Sequence, residues 1–243
     1  MNSYRYQNTL IGVLGGMGPA ATGKFLLELT TACGAAQDQG HPRAIVLSDT
    51  HIADRTAAIL NHDDLPLRQT REDIWKLVAW GATLIAVPCN TVHYFINQFI
   101  DEVPVPFVNI VDATLDAAQK ASPEGAEGAW LTCTRGTVET GLYQREAEKR
   151  HYTILTPDDD GLDQLMTIVG EVKAGRLSDA GIHYSEIAEQ LMSMHELPLM
   201  TACTELPLAF EASGLSPSIQ ISSLTALAEA SMSEINKLEP ALS

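Results

Sequence analysis

The sequence predicts an α/β protein of two similar three-layer domains, each built on a mainly parallel sheet and related to the other by a pseudo-twofold axis. Three observations predict it. Short apolar runs alternate with helix-compatible stretches, the pattern of successive βα units. Several of these runs end in Gly, Cys or Thr followed by small polar residues, as strands do at the carboxyl edge of a parallel sheet. The two halves also repeat one order: strand, Gly/Thr turn, helix, and later a strand ending in cysteine. Leu14 precedes Cys89 by 75 positions and Thr132 precedes Cys203 by 71. Identity between the halves is low, so the repeat is one of topology rather than of sequence.

Taken in order, Thr9 to Leu14 is a strand that runs into Gly15-Gly16-Met17-Gly18-Pro19 and then a helix from about Gly23 to Ala32. The glycines let backbone approach a ligand, and a helix start favours an anion. The turn lacks the Lys-Ser/Thr ending of a nucleotide P-loop and the full dinucleotide glycine pattern. A carboxylate cradle that includes Met17 and a purely structural turn both remain open. Ala44 to Ser48 is the second strand, followed by Asp54 and Arg55 just beyond its end. Arg is the natural fork for a carboxylate, and a surface ion pair opening a helix is the plainer reading. Asn61 to Pro66 is a turn, Leu67 to Trp80 a helix, Thr83 to Val87 the third strand, and Cys89 follows. Val92 to Ile100 reads as a helix, Phe107 to Ile110 as a strand and Asp112 to Ala121 as a helix. Ser122 to Gly128 forms a loop, near which the domain changes.

The second half restarts with a strand from Ala129, the turn Cys133 to Gly141, a strand at Tyr152 to Leu155 and an amphipathic helix from Leu162 to Lys173. Lys173, near the end of that helix, suits the helix dipole. A helix from Ile182 to Met194 precedes the strand Leu197 to Ala202 and Cys203. A short helix at Pro207 to Ala212, a strand at Ser218 to Ile221 and a helix at Leu224 to Lys237 complete the chain. The last helix is expected to return to the first half. The first domain is therefore placed at 1–112 plus 218–243 and the second at 113–217.

The bulk composition narrows the function. A 243-residue chain with 45% hydrophobic residues can bury a core. Its net charge of −16 argues against nucleic acid and against anionic membrane surfaces, though a few local cations can still govern a pocket for an anionic substrate. No apolar run reaches 18 residues. The opening Met1 to Asn8 is polar, without the apolar core of a signal peptide. Four widely spaced cysteines make neither a disulfide framework nor a paired-cysteine zinc pattern. A cytoplasmic protein is the expectation.

The cysteines divide by context. Cys33 lies among Ala and Thr on a helix and reads as a small buried hydrophobe. Cys133 ends a strand and reads as structural, with a pocket-lining role the rival. Cys89 and Cys203 share a strand end, a polar successor and matching positions in the two halves. Helix N–H groups aimed at such a site lower a thiol pKa below its free value of about 8.5. Zinc held by the two thiols with His93 or His51, and a redox disulfide, are the rivals; no close ligand pair and no CxxC supports them. Two thiols facing one another across a cleft suit inversion of a stereocentre. One thiolate takes the proton from one face, the other thiol returns one to the opposite face, and donors hold the neighbouring carboxylate.

These motifs resemble the aspartate/glutamate racemase superfamily, in its aspartate racemase branch. The stretches that carry the resemblance are IGVLGGMGPAAT at 11–22, ADRT at 53–56, VPCNTVHYF at 87–95, TRGTVETGLYQ at 134–144 and CTELPL at 203–208. The resemblance implies two similar α/β domains with a cleft between them, no pyridoxal phosphate or other cofactor, no metal, and a homodimer. It implies that Cys89 and Cys203 are the paired acid and base, assisted by Asp54 and Glu205. Arg55 and Lys173 would hold the side-chain carboxylate of an acidic amino acid. Met17 of the first turn, with Asn90, Thr91, Thr134, Gly136, Thr137 and Thr204, would bind the rest of the substrate. Cell-wall glutamate racemases are similar to a pattern with Asp-Ser in the first turn and Cys-Thr-His in the last. Gly15-Gly16-Met17 and Glu205 here favour aspartate, or relaxed use of aspartate and glutamate. Ser222-Ser223-Leu224 departs from the family's Asp-Ser-Thr run, and Cys133 and Ala202 stand where Ala or Gly is usual. The rival functions are an isomerase or lyase on another small carboxylate, and a non-catalytic binder of an acidic metabolite.

Overall fold

The structure is a computed structural model that describes residues 5–121 and 128–239. Most of the predicted 122–128 loop and the first residues of the polar start lie outside the described residues. In chain order the elements are β1 (Leu10–Gly15), α1 (Pro19–Cys33), β2 (Arg43–Ser48), α2 (Arg55–Leu60), α3 (Leu65–Ala79), β3 (Leu84–Ala86), α4 (His93–Ile96), β4 (Phe107–Val108) and α5 (Ile110–Ala121). They continue with β5 (Gly128–Thr132), α6 (Arg135–Glu139), α7 (Leu142–Lys149), β6 (Thr153–Leu155), α8 (Asp159–Lys173), α9 (Leu177–Met194), β7 (Leu199–Thr201), α10 (Leu206–Ser213), β8 (Gln220–Ser222) and α11 (Ser223–Leu238).

The strands form two four-stranded parallel sheets, in the orders β2-β1-β3-β4 and β6-β5-β7-β8. The orders are equivalent: in each sheet the first strand of its set lies second, flanked by the second and third. This is the α/β architecture the sequence predicts. In the first sheet Ile11 pairs with Ala44 on one side and Leu84 on the other. In the second, Trp130 pairs with Leu155 and Leu199. β3, β5 and β7 are buried along their whole length, as expected of parallel strands covered by helices. Phe25, Ile74 and Leu77 pack the first core; Leu165, Tyr184, Ile187 and Phe210 pack the second. Among the described residues no helix is long and apolar enough to cross a membrane.

The chain divides into two compact units. The first takes the chain up to Ala53, Asp64–Ile110 and the chain from Leu224; the second takes Asp54–Asp63 and Val111–Ser223. Three segments therefore differ from the placement expected from the sequence, the first being Val111–Asp112, which falls in the second unit. β8 pairs with β7, and Ser223 Oγ donates to the Thr201 carbonyl at 2.8 Å, so 218–223 belongs with the second unit. Asp54–Asp63 also joins it, because α2 packs on α6: an added Cβ on Gly136 would lie 2.9 Å from Thr56 Cα.

Several helices differ in extent from the reading of the sequence: α1 starts at Pro19 rather than about Gly23, α8 at Asp159 rather than Leu162, and the predicted turn Cys133 to Gly141 contains α6. α3 starts at Leu65 because Pro66 suits a first helical turn. α9 starts at Leu177, since Ser178 and Asp179 resemble a loop but are favourable near a helix start. α4 stops at Ile96, where Gln98 N–H turns back to Phe95 in a three-residue hydrogen bond instead of continuing the helix.

Candidate active site

Each sheet presents a thiol just beyond the carboxyl end of its third strand. In the first unit, β1 ends in the glycine turn. Gly16 has φ +93°, and a Cβ there would fall 2.4 Å from the Asp49 backbone, so the turn requires glycine. Thr22 folds the turn onto α1: it accepts from Gly16 N–H at 2.9 Å and donates to the Gly18 carbonyl at 3.0 Å. Met17 is buried beside it. On the neighbouring strand, Cys89 N–H donates to the Val87 carbonyl at 2.8 Å, which turns the chain sharply at the strand end. Cys89, Asn90 and Thr91 are buried there. Met17, Cys89, Asn90 and Thr91 thus share one sheet edge.

In the second unit, β5 ends at Thr132 and Cys133, and Thr134 opens α6. The Thr134 hydroxyl caps that helix, accepting from Thr137 N–H at 3.3 Å and lying 3.0 Å from Thr137 Oγ1. α2 packs on α6, with Asp54 as its own cap: the carboxylate accepts from Ala57 N–H at 2.8 Å. That places Arg55 on the helix lying against the Thr134–Thr137 turn. Arg135 of the same motif binds Asp159 and Asp163, each at 2.7 Å, and so fastens α6 to α8.

On the next strand, Cys203 Sγ donates to Glu205 Oε2 at 3.2 Å, and Thr204 Oγ1 reaches the same oxygen at 3.5 Å. Glu205 is 3% exposed, so these contacts matter to a buried carboxylate. The sequence predicts a thiol pKa lowered by helix N–H groups. Cys203 goes the other way: burial pushes its pKa well up, and the Glu205 charge pushes it further. The Glu205 backbone N–H and the Lys173 ammonium pull it down but do not prevail. Lys173, the exposed last residue of α8, thus acts on Cys203 through its charge. Cys203 is a protonated, hydrogen-bonded thiol at neutral pH, the form that can give a proton.

Of the other cysteines, Cys133 is fully buried with its thiol pushed up by desolvation. Cys33 is half-buried at the end of α1. Among the described residues no three His, Cys, Asp or Glu side chains gather to hold a metal ion.

The structure thus gathers Asp54, Arg55, Thr134, Gly136, Thr137, Lys173, Cys203, Thr204 and Glu205 in the second unit. Asp54 and Arg55, which follow β2 of the first sheet in sequence, are not part of the first unit. His93 is a residue whose place the sequence did not reveal. Its Nδ1 lies 2.8 Å from the Cys89 carbonyl.

The profile of the Asp/Glu/Hydantoin racemase family matches residues 14–230. The chain belongs to this family. An aspartate racemase from Picrophilus torridus superposes with a TM-score of 0.79 at 28% identity, covering 94% of each chain. The broad specificity amino-acid racemase RacX of Bacillus subtilis is 26% identical over 205 residues, 81% of this chain and 86% of RacX. A glutamate racemase from Bacillus anthracis shares the fold alone, with a TM-score of 0.70 at 14% identity, covering 96% of this chain and 83% of its own. All five motif stretches fall at least partly within the span that matches the family.

Proposed function

We propose that this family member is a cofactor-independent racemase of acidic amino acids, with aspartate the favoured substrate and glutamate also accepted. Cys89 and Cys203, one from each unit, are its two bases. The observation that carries the reading is the matched pair of strand-end thiols, one of them kept protonated by burial and by Glu205 at 3.2 Å. A protonated thiol on one side and a thiolate on the other is the resting state that inversion needs. In one direction Cys89 takes the α-proton and Cys203 returns one to the opposite face; in the other direction the roles exchange. Asp54 and Glu205 assist the thiols. Arg55 and Lys173 hold the side-chain carboxylate. The α-carboxylate and amine fall to Met17 in its turn, Asn90, Thr91, Thr134, Gly136, Thr137 and Thr204. Backbone N–H groups at the strand ends then stabilise the carbanion spread into the carboxylate. The Picrophilus racemase supports the choice of aspartate and the breadth of RacX supports testing several amino acids. The family resemblance supports a homodimer, and four free thiols suit the reducing cytoplasm.

The test is proton NMR of L-aspartate and L-glutamate in D2O with the purified protein, followed by chiral analysis. Loss of the α-proton signal together with appearance of the D-enantiomer supports the reading and ranks the substrates. Absence of α-proton exchange with both amino acids refutes it.

A further inference from the structure

His93 follows Cys89 by four positions and is 0% exposed. Its two ring nitrogens meet backbone groups of opposite kind. Nδ1 lies 2.8 Å from the Cys89 carbonyl oxygen, and the Ile110 N–H donates to Nε2 at 3.2 Å. A carbonyl only accepts, so Nδ1 carries the proton; an N–H only donates, so Nε2 carries a lone pair. The ring is therefore the neutral Nδ1–H tautomer. Its face tilts against Phe107, with centroids 5.2 Å apart. Phe107 lies in β4, which pairs with β3, and Ile110 opens α5, where helix N–H groups have no acceptor within the helix. One imidazole thus joins the segment that follows β3 to the start of the helix that follows β4.

We infer that His93 is a positioning residue that fixes the backbone of Cys89, and so the direction of its thiol, without touching substrate. The inference rests on the two-thiol reading above. Cys89 leaves its strand through a tight turn, and α4 beyond it is a single turn long. Neither element is long enough to hold the thiol direction rigidly by itself. The imidazole, on the first residue of that short helix, grips the Cys89 carbonyl and anchors it to a second element. Misplacing a reacting group by about 1 Å can cost roughly 100-fold in rate.

The experiment compares wild type with His93→Phe, which keeps a ring and removes both hydrogen bonds, and with His93→Asn, whose amide restores a donor near the Nδ1 position. Racemisation and α-proton washout are measured in D2O from each enantiomer of the substrate. His93→Phe is expected to lose about 10- to 100-fold in kcat with KM changed less than about 3-fold, and His93→Asn to recover part of the loss. The decisive reading is the ratio of washout to inversion. With Cys89 misdirected, carbanions made by Cys203 return to Cys203, so washout without inversion rises for one enantiomer and not the other. A loss of folded protein scales both enantiomers alike and leaves the ratios unchanged.

A folded His93→Phe enzyme with wild-type kcat and unchanged ratios overturns the inference and leaves the racemase reading intact. The tautomer is tested on wild type alone by 15N NMR of the labelled imidazole at pH 7. Nδ1 protonated and Nε2 bare is expected; the opposite tautomer, or a doubly protonated ring, overturns the inference even where every variant fails to fold. Wild-type protein that exchanges no α-proton, with the tautomer as stated, refutes the racemase reading instead.

Discussion

Acidification from pH 7 to 4 isolates the energetic cost of enclosing His93. Burial lowers its pKa from 6.5 to about 4, only partly opposed by the backbone carbonyls of Cys89 and Val108 beside the ring. In the unfolded chain the imidazole titrates near its free value of about 6.5. Between these values the unfolded state binds a proton that the folded state refuses, so unfolding becomes easier as pH falls. The contribution is complete above about pH 6.5 and lost progressively down to about pH 4. A shift of about 2.5 units at 1.36 kcal/mol each amounts to about 3 kcal/mol. Many carboxylates titrate in the same window, so the quantity to measure is the difference from His93→Gln, which does not titrate. Urea unfolding of the first unit is followed by fluorescence of Trp75 and Trp80, with Trp130 replaced by phenylalanine in both proteins. At pH 7 the variant is less stable because it lacks the ring's packing and its paired hydrogen bonds. By pH 4 the gap is expected to narrow by about 3 kcal/mol. A gap that stays constant to within about 0.5 kcal/mol from pH 7 to 4 would refute an enclosed, neutral His93.

Four further outcomes are expected. Glu205→Gln removes the charged acceptor of the Cys203 thiol and the negative charge beside it, so the Cys203 pKa falls. The pH dependence of Cys203 alkylation, read by peptide mapping, checks this, and a rise or no change contradicts it. Cys89→Ala or Cys203→Ala abolishes racemisation while ligand binding, measured by calorimetry, persists; an active single variant removes that cysteine from the pair. Gly136→Ala forces a methyl to within 3 Å of Thr56 and costs about 1–3 kcal/mol of stability, read as a lowered Tm of the second unit. Aspartate slows inactivation by iodoacetamide. Inactivation indifferent to aspartate would place the modified thiol at Cys33 or Cys133.

Local patterns made much of this protein legible. The strands show because apolar runs ending in Gly, Cys or Thr are short-range signals, and the repeated order of strand, turn and helix shows because it is periodic at the scale of the chain. The placement of Asp54–Asp63 was not legible. Its partner Gly136 lies about eighty positions away, and nothing near Thr56 announces that a bare Cα will meet it. The same holds for His93, which enters the sequence reading only as a rival zinc ligand until Ile110, seventeen positions on, is brought to Nε2. The direction of the Cys203 pKa was misjudged for a related reason. A motif reveals that helix N–H groups are near, and the Glu205 N–H is indeed there, but only the packed fold reveals how dry the thiol is.

The division of the chain also governs the order in which the protein can be completed during synthesis. The chain passes between the two units four times, at 53–54, 63–64, 110–111 and 223–224. The first unit begins before the second yet lacks α11 until residues 224–238 have left the ribosome, and domains fold as whole units. Every residue of the second unit has emerged by Ser223. The half that starts later is thus the first able to finish, and it holds Cys203 ready before the strand-end thiol of the older half has its complete support. No single cut in the gene releases either half intact.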